Sequence, residues 1–286
     1  EDGLLQLIHN GEVYNYRELR TELEARGRRF RSATDTEVVL AAYEEWGDRC
    51  VERFNGMWAF ALWDGRAQRL FCSRDRFGVK PFYYRFDGGR LSFASELKAF
   101  RADPECRLEP NLGLVRDYVE RDWFDHTDET FFEGIRKLPP AHSLVLDRSG
   151  LRLQRYWQLE HRDPPPGDHV EAVRELFLDS VRLRLRSDVH VGTCLSGGID
   201  SSAIACSVDH LLRTEVEAAR PVGDRQATFT VYFDIPGYDE RPYAGAVVDR
   251  TLATPTWVSF SDDELVAQLP GIVEAHDEPF RSTSIC

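Results

Sequence analysis

The sequence predicts two fold classes in succession, an antiparallel layered α+β region and then a parallel-sheet α/β region. Three observations carry that expectation. The first half strings short strands together through hairpin signals. A proline-dense stretch, DPPPGD at 163–168, then interrupts the pattern. Beyond it helix and strand patterns alternate, as they do where helices flank a parallel sheet. The 286 residues suffice for two domains, and 42% hydrophobic with 12% aromatic residues gives each half material for a core. The expected boundaries are 1–160, a linker over 161–168, and 169–286.

In the first half, LLQLIHNGEVYN reads as a strand. Asn15 is placed to cap a helix over YRELRTELEARG, with Leu19 and Leu23 on one face and Gly27 as its stop. Thr34 and Glu37 have the spacing of a capping box for a second helix. That helix would turn Val38, Val39, Ala42, Tyr43 and Trp46 inward and end at Gly47. Next, AFALW meets the turn Asp64-Gly65, RLFCSRD follows, and FYYRF turns at Asp87-Gly88-Gly89 into LSFAS. Residues 107–160 connect the halves through a helix near NLGLVRDYVERDWF and strands in HSLVLD and LRLQRYWQL.

In the second half, Val170, Val173, Phe177, Val181 and Leu185 recur at helical spacing. VHVGTCL reads as a buried strand, SSAIACSVDHLL as a helix, ATFTVYF as a second strand and DERPYAGAVVDR as another helix. The turn between the first strand and its helix is Ser196-Gly197-Gly198-Ile199-Asp200-Ser201-Ser202. Glycines there admit close approach of backbone N–H groups, the helix end favours an anion, and Ser196, Ser201 and Ser202 add hydroxyls. This suits a phosphate. No Lys-Ser/Thr pair follows the glycines, so it is not the Walker loop, and it would grip a pyrophosphate as one unit. Asp200 fits such a cradle if it holds a divalent cation, and Mg²⁺ binds through one or two carboxylates plus phosphates. The plainer alternative is a helix cap in which Asp200 merely complements the helix dipole.

Composition narrows the class. The net charge is −13, from 36 basic and 49 acidic residues, which argues against nucleic acid or an anionic membrane as main partner. No apolar run approaches the ~18 residues of a membrane span. The cysteines at 50, 72, 106, 194, 206 and 286 form no C-x-x-C pair and no zinc spacing. They read as small apolar residues of a protein in a reducing cytoplasm.

The loop SGGIDSS after an apolar strand resembles the pyrophosphate (PP-loop) motif of ATP pyrophosphatases. NGEVYNY, SATDTEV, FNGMWAFALWD, RDRFGVKPFYY and FASELKAF, in that order, resemble the class II glutamine amidotransferase domain of glutamine-hydrolysing asparagine synthetases. FFEGIRKLPPAHSLVLD and RYWQL resemble the passage joining its domains, and DERPYA and HDEPF resemble later synthetase segments. The resemblance spans essentially the whole chain. It implies an Ntn-hydrolase-like amidotransferase domain followed by a PP-loop synthetase domain, both incomplete. Asn10 and the Gly11 N–H would form an oxyanion hole, and Glu12 and Asp35 would hold the α-amino group of glutamine. Leu195, Ser196, Gly197, Gly198, Asp200 and Ser201 would meet ATP, with Val231 offering backbone groups to adenine. The implied substrates are glutamine, aspartate and ATP with Mg²⁺, and a homodimer fits the resemblance. Asp239, Glu240, Asp277 and Glu278 are taken as helix-capping acids, with His276 under the same caution, and His142 and His190 as structural.

The resemblance also implies an N-terminal cysteine nucleophile and an arginine for the glutamine carboxylate, both of which fall upstream of Glu1. A further Gly/acid-rich phosphate motif falls beyond Cys286. The expectation is a fragment cut at both ends, inactive alone yet able to bind ATP weakly. Other readings stay open: a β-lactam-forming or peptide-tailoring synthetase acting on another carboxylate, or a non-catalytic nucleotide-binding module. A purine-pathway or hexosamine-type amidotransferase has no use for SGGIDSS.

Overall fold

A computed structural model describes residues 4–280 except 162, 164, 165, 216 and 236. The described residues up to Glu160, with those from Gly271 onward, form one compact unit, and those from His161 to Pro270 form another. Arg162, Pro164 and Pro165 of the expected linker, and Cys286, lie outside the described residues.

The first unit begins with β1 (Leu5–Val13), α1 (Tyr16–Ala25) and α2 (Asp35–Trp46). There follow β2 (Gly56–Asp64), β3 (Arg69–Arg74), β4 (Tyr83–Asp87), β5 (Arg90–Ala94) and α3 (Leu112–Arg121). Then come β6 (Arg136–Lys137), β7 (His142–Asp147) and β8 (Gly150–Arg155). Five strands pair in the order β1-β2-β3-β7-β8, and three in the order β5-β4-β6; every pairing in both sheets is antiparallel. Strand β2 shows why the layers stack. Its Trp58, Phe60 and Leu62 pack with Leu19, Leu23, Val38 and Val39 of the two helices. Its Ala59 and Ala61 point the other way, toward Tyr84 and Phe93 of the smaller sheet and Phe82 just before β4. Large residues on one face and alanines on the other let two layers close on one strand, so both faces are buried.

Local chemistry explains the helix starts. Thr34 Oγ1 accepts from Glu37 N at 3.4 Å, half of the expected box. The Glu37 carboxylate bonds instead to the N–H groups of Arg31 and Ser32. Trp46 is only partly buried. Asn15 precedes α1 but makes no side-chain cap. Its amide reaches Asn55 N at 2.8 Å and Arg53 O at 3.0 Å, tying the helix start to the approach to β2. That long-range use outcompetes the local cap.

The second unit contains α4 (His169–Arg184), β9 (Gly192–Cys194), α5 (Ile199–Thr214), β10 (Gln226–Val231), α6 (Arg241–Val248) and β11 (Ala253–Val258). The chain then enters α7 (Asp262–His276). The three strands are parallel in the order β11-β10-β9. Two expectations need correction. VHVGTCL yields only a three-residue edge strand with an exposed–intermediate–exposed pattern, since β9 pairs on one side alone. Of the α4 stripe, Val181 and Leu185 are buried, while Val170, Val173 and Phe177 are exposed. The cluster formed with Val208 and Leu211 of α5 reaches only the last turns of α4. Neither β11 nor α7 was anticipated. α7 starts on a capping box between Ser261 and Glu264 and carries Pro270 inside it.

Candidate functional sites

In the first unit, Asn10, Gly11 and Glu12 lie together on β1 opposite Ala59, Trp58 and Met57. Gly11 has φ 143°, and a Cβ there would fall 2.1 Å from Met57 O, so the strand pair tolerates only glycine. Asn10 Nδ2 donates to Ser95 Oγ at 3.3 Å, and the side chain opens onto a cavity of about 190 Å³ also lined by Phe82 and Phe93. Asp35 is the first residue of α2, and its Oδ2 accepts from Val13 N at 2.8 Å. The helix start therefore brings this carboxylate beside the peptide following Glu12. All four residues named from the sequence meet at one end of β1.

Beside them lies the loop RDRFGVK, Arg74 to Lys80. The buried Asp75 carboxylate accepts from the N–H groups of Phe77, Val79 and Lys80 at 3.1, 3.0 and 2.9 Å. The neighbouring Arg74 guanidinium donates to the carbonyls of Lys80, Gly78 and Leu138 at 2.7 to 2.8 Å. Burial pushes the Arg74 guanidinium below its ordinary pKa. Adjacent opposite charges thus satisfy the turn's donors and acceptors. In sequence, the Arg-Asp pair before Phe-Gly was the available signal.

Cys50 and Cys72 are fully buried and burial raises both thiols, so neither is a reactive thiolate. Cys106 is buried too, but Cys194 and Cys206 are exposed, and the apolar-packing reading fails for those two. Among the described cysteines none forms a disulfide.

The late acids do not cap a helix. Asp277 Oδ2 accepts from Lys98 N at 3.1 Å, and Glu278 Oε1 accepts from Phe131 N at 3.0 Å. Lys98 Nζ lies 3.8 Å from Asp277 and Lys137 Nζ 3.5 Å from Glu278. Burial, and after it the Glu278 charge, pushes the Tyr83 phenol up to about 12. These carboxylates hold the backbone donors of Lys98 and Phe131, far back along the chain, a long-range role no local pattern encodes. His276 packs its ring on Phe280, and His142 Nδ1 meets Pro140 O at 2.8 Å.

In the second unit the loop 195–202 leaves β9 at the carboxyl end of the sheet. Leu195 is buried; its N–H bonds Phe229 O at 2.8 Å and its carbonyl accepts from Thr230 Oγ1 at 2.6 Å. Ser196 N donates to Ser201 Oγ at 3.2 Å, the two hydroxyls lie 3.0 Å apart, and Gly198 N donates to Ser196 Oγ at 3.3 Å. The serines therefore shape the loop before they meet any ligand. Gly197 has φ 83°, and a Cβ there would lie 2.5 Å from Ala244 N and Tyr243 Cβ of α6. Gly198 precedes α5 with no side-chain cap, and Gly198, Ile199 and Asp200 are exposed. A 16-residue helix thus presents N–H groups without a side-chain cap at an open bend, the kind of helix end that suits an anion. Val231, partly exposed, ends β10 two residues past Phe229, which pairs with Cys194, so it stands at the same edge as Ser196.

Asp200 is the loop's single carboxylate, and among the described residues no group of three His, Cys, Asp or Glu could hold a metal ion. One carboxylate completed by phosphates and water is still a normal set for Mg²⁺. Asp239 accepts from Arg241 N at 3.0 Å at the start of α6, whereas Glu240 makes no side-chain cap. No helix among the described residues is long and apolar enough to cross a membrane.

Residues 1–157 match the family model described as glutamine amidotransferase domain, and residues 172–286 match the one described as asparagine synthase. The chain belongs to the family that joins a glutamine amidotransferase domain to an asparagine synthase domain. Among its relatives is asparagine synthetase [glutamine-hydrolyzing] 3 of Bacillus subtilis, 37% identical over 283 residues, covering 96% of this chain and 45% of that protein. The putative asparagine synthetase [glutamine-hydrolyzing] 2 of Methanocaldococcus jannaschii is 35% identical over 282 residues, covering 96% and 52%. Amidase chry2 of Gibberella zeae is 35% identical over 280 residues, covering 94% and 41%. The chain thus spans about half the length of the curated relatives it matches.

Proposed function

We propose that this protein is a glutamine-dependent asparagine synthetase, a carbon–nitrogen ligase. The observation that carries the reading is the loop from Ser196 to Ser201: a hydroxyl-braced bend with an open helix end at the carboxyl edge of a parallel sheet. Its uncapped N–H groups would bind the β- and γ-phosphates of ATP as one leaving group, with Leu195, Gly197 and Gly198 shaping the approach. Val231 would offer backbone groups to adenine, and Asp200 would hold Mg²⁺ against the phosphates. The aspartate side-chain carboxylate attacks the α-phosphorus, the bond to the bridging oxygen breaks, and pyrophosphate departs. Ammonia then adds to the acyl-adenylate carbonyl, and AMP leaves with the electron pair of the C–O bond.

The ammonia would come from glutamine in the first unit. Glu12 and Asp35 would hold its ammonium, and the Asn10 amide with Gly11 N–H would stabilise the oxyanion formed as the amide is attacked. Each such donor is worth roughly 3 kcal/mol of transition-state stabilisation in acyl transfer. The 35% identity to a protein named an amidase favours a second reading, in which the acceptor is a carboxylate other than that of aspartate.

Incubating the full-length protein with ATP–Mg²⁺, glutamine and aspartate tests the assignment. Asparagine with stoichiometric AMP and pyrophosphate is expected. Release of ADP overturns the loop reading, and AMP formation that ignores aspartate but follows another carboxylate moves the assignment to the second reading.

A further inference from the structure

His9 sits on β1 immediately before Asn10, and the reactions above give it no part. Its Nδ1 lies 3.3 Å from Thr36 Oγ1. Thr36 Oγ1 in turn donates to Asp35 Oδ1 at 3.3 Å, while Asp35 Oδ2 accepts from Val13 N at 2.8 Å. A hydroxyl has one proton. With that proton directed at Asp35, the Thr36 oxygen must accept from the imidazole, which places the ring proton on Nδ1. The remaining nitrogen, Nε2, is buried and has no hydrogen-bond partner among the described residues. A bare lone pair survives there at modest cost, whereas a charged N–H would not.

We propose that His9 is a positioning residue that acts through the Thr36 hydroxyl to fix the direction of the Asp35 carboxylate toward the α-ammonium of glutamine. The proposal rests on the reading of Asp35 as a glutamine ligand. With one bond on each oxygen the carboxylate cannot turn about its last torsion, and its other lone pairs keep a constant heading. The ring's charge state matters as well. Burial pushes His9 below its ordinary value of 6.5, Asp35 pulls it partly back, and Lys80 pushes it down further. At neutral pH the imidazole is therefore uncharged and does not compete with the substrate ammonium for Asp35.

Steady-state glutamine hydrolysis by the full-length protein tests this, with the des-amino analogue 4-carbamoylbutanoate as competitive inhibitor. For His9→Gln, KM for glutamine should rise about tenfold with kcat within about twofold, as for loss of a bond to a charged group. The inhibition constant of the analogue, which has no ammonium, should stay put. Thr36→Val should show the same split, Thr36→Ser should restore wild-type behaviour, and the His9–Thr36 double variant should be no worse than either single one. Wild-type KM should hold from pH 8 to 6.5 and rise below it as the ring takes a proton, with that rise absent in His9→Gln. Equal losses for glutamine and analogue, or no loss in either variant, would overturn the proposal while leaving the glutamine site standing. A wild-type protein without glutaminase activity would instead remove the reading beneath it.

Discussion

The two units bury their sheets in opposite styles. In the first, β2 is covered on both faces, and Trp58, Phe54, Phe60 and Phe71 are almost wholly excluded from solvent. In the second, β10 turns Gln226, Thr228 and Thr230 inward and leaves Phe229 47% and Val231 44% exposed. Parallel sheets ordinarily have apolar strands covered on both sides. Here the inward row is polar: Gln226 Nε2 donates to Thr193 Oγ1, and Thr230 bonds Leu195 O. The first unit is held by packing. In the second, hydrogen bonds on the sheet's inner face set the strand from which the loop 195–202 departs.

The contrast can be broken most forcefully by deleting one large side chain from each sheet. Trp58→Ala should lower stability by about 4 kcal/mol, since a filled core collapses only partly around the gap. Phe229→Ala should lower it by less than about 1 kcal/mol. Urea titrations of both variants against wild type provide the check, and comparable losses would refute the difference. A sharper version uses backbone crowding. Gly11→Ala and Gly197→Ala each force a Cβ into backbone atoms at a positive φ, at a cost of roughly 2–4 kcal/mol. Gly197→Ala should weaken ATP binding at least about tenfold and spare the glutamine KM; Gly11→Ala should do the reverse. Calorimetry with ATP and glutaminase kinetics, both on the full-length protein, distinguish the outcomes.

The smallest effect lies at two exposed carboxylates near helix starts, Glu37 and Glu264. For Glu37 burial works against ionisation, but the Ser32 hydroxyl and the N–H groups of Arg31 and Ser32 prevail and hold the carboxyl below its usual value. Glu264 is likewise held down by the Ser261 N–H and hydroxyl. In both, the unfolded chain takes up its proton near 4.5 while the folded carboxylate stays charged. The stabilisation is therefore complete above 4.5 and fades as pH falls through the lower folded value. Glu37→Gln and Glu264→Gln should each flatten the acid limb of the unfolding midpoint slightly, and a steeper limb in either would contradict the sign.

Much of this was legible in the sequence because it is local. The hairpins at 64–69 and 87–90, the strand LQLIHNGEV and the helix over 35–46 follow from turn residues and periodicity within a few positions. The SGGIDSS bend was legible for the same reason, and so was its neighbour β10. What escaped depends on partners far along the chain. Asn15 gives up its cap for residues 53–55, and Asp277 and Glu278 reach back to Lys98 and Phe131. The α4 stripe promised burial that packing grants only to its last turns. Pro270-Gly271 masked a helix whose start, Ser261 with Glu264, was a plain signal.

The contact of Gly197 with Tyr243 and Ala244 couples two things that the chain order keeps apart. Because backbone meets backbone there, the bend that would cradle a nucleotide has no slack of its own on that side. If it widens, helix α6 must give way with it. Binding at one should then be felt as motion in the other, so the seating of α6 bears on the width of the bend although no residue of that helix need touch a ligand.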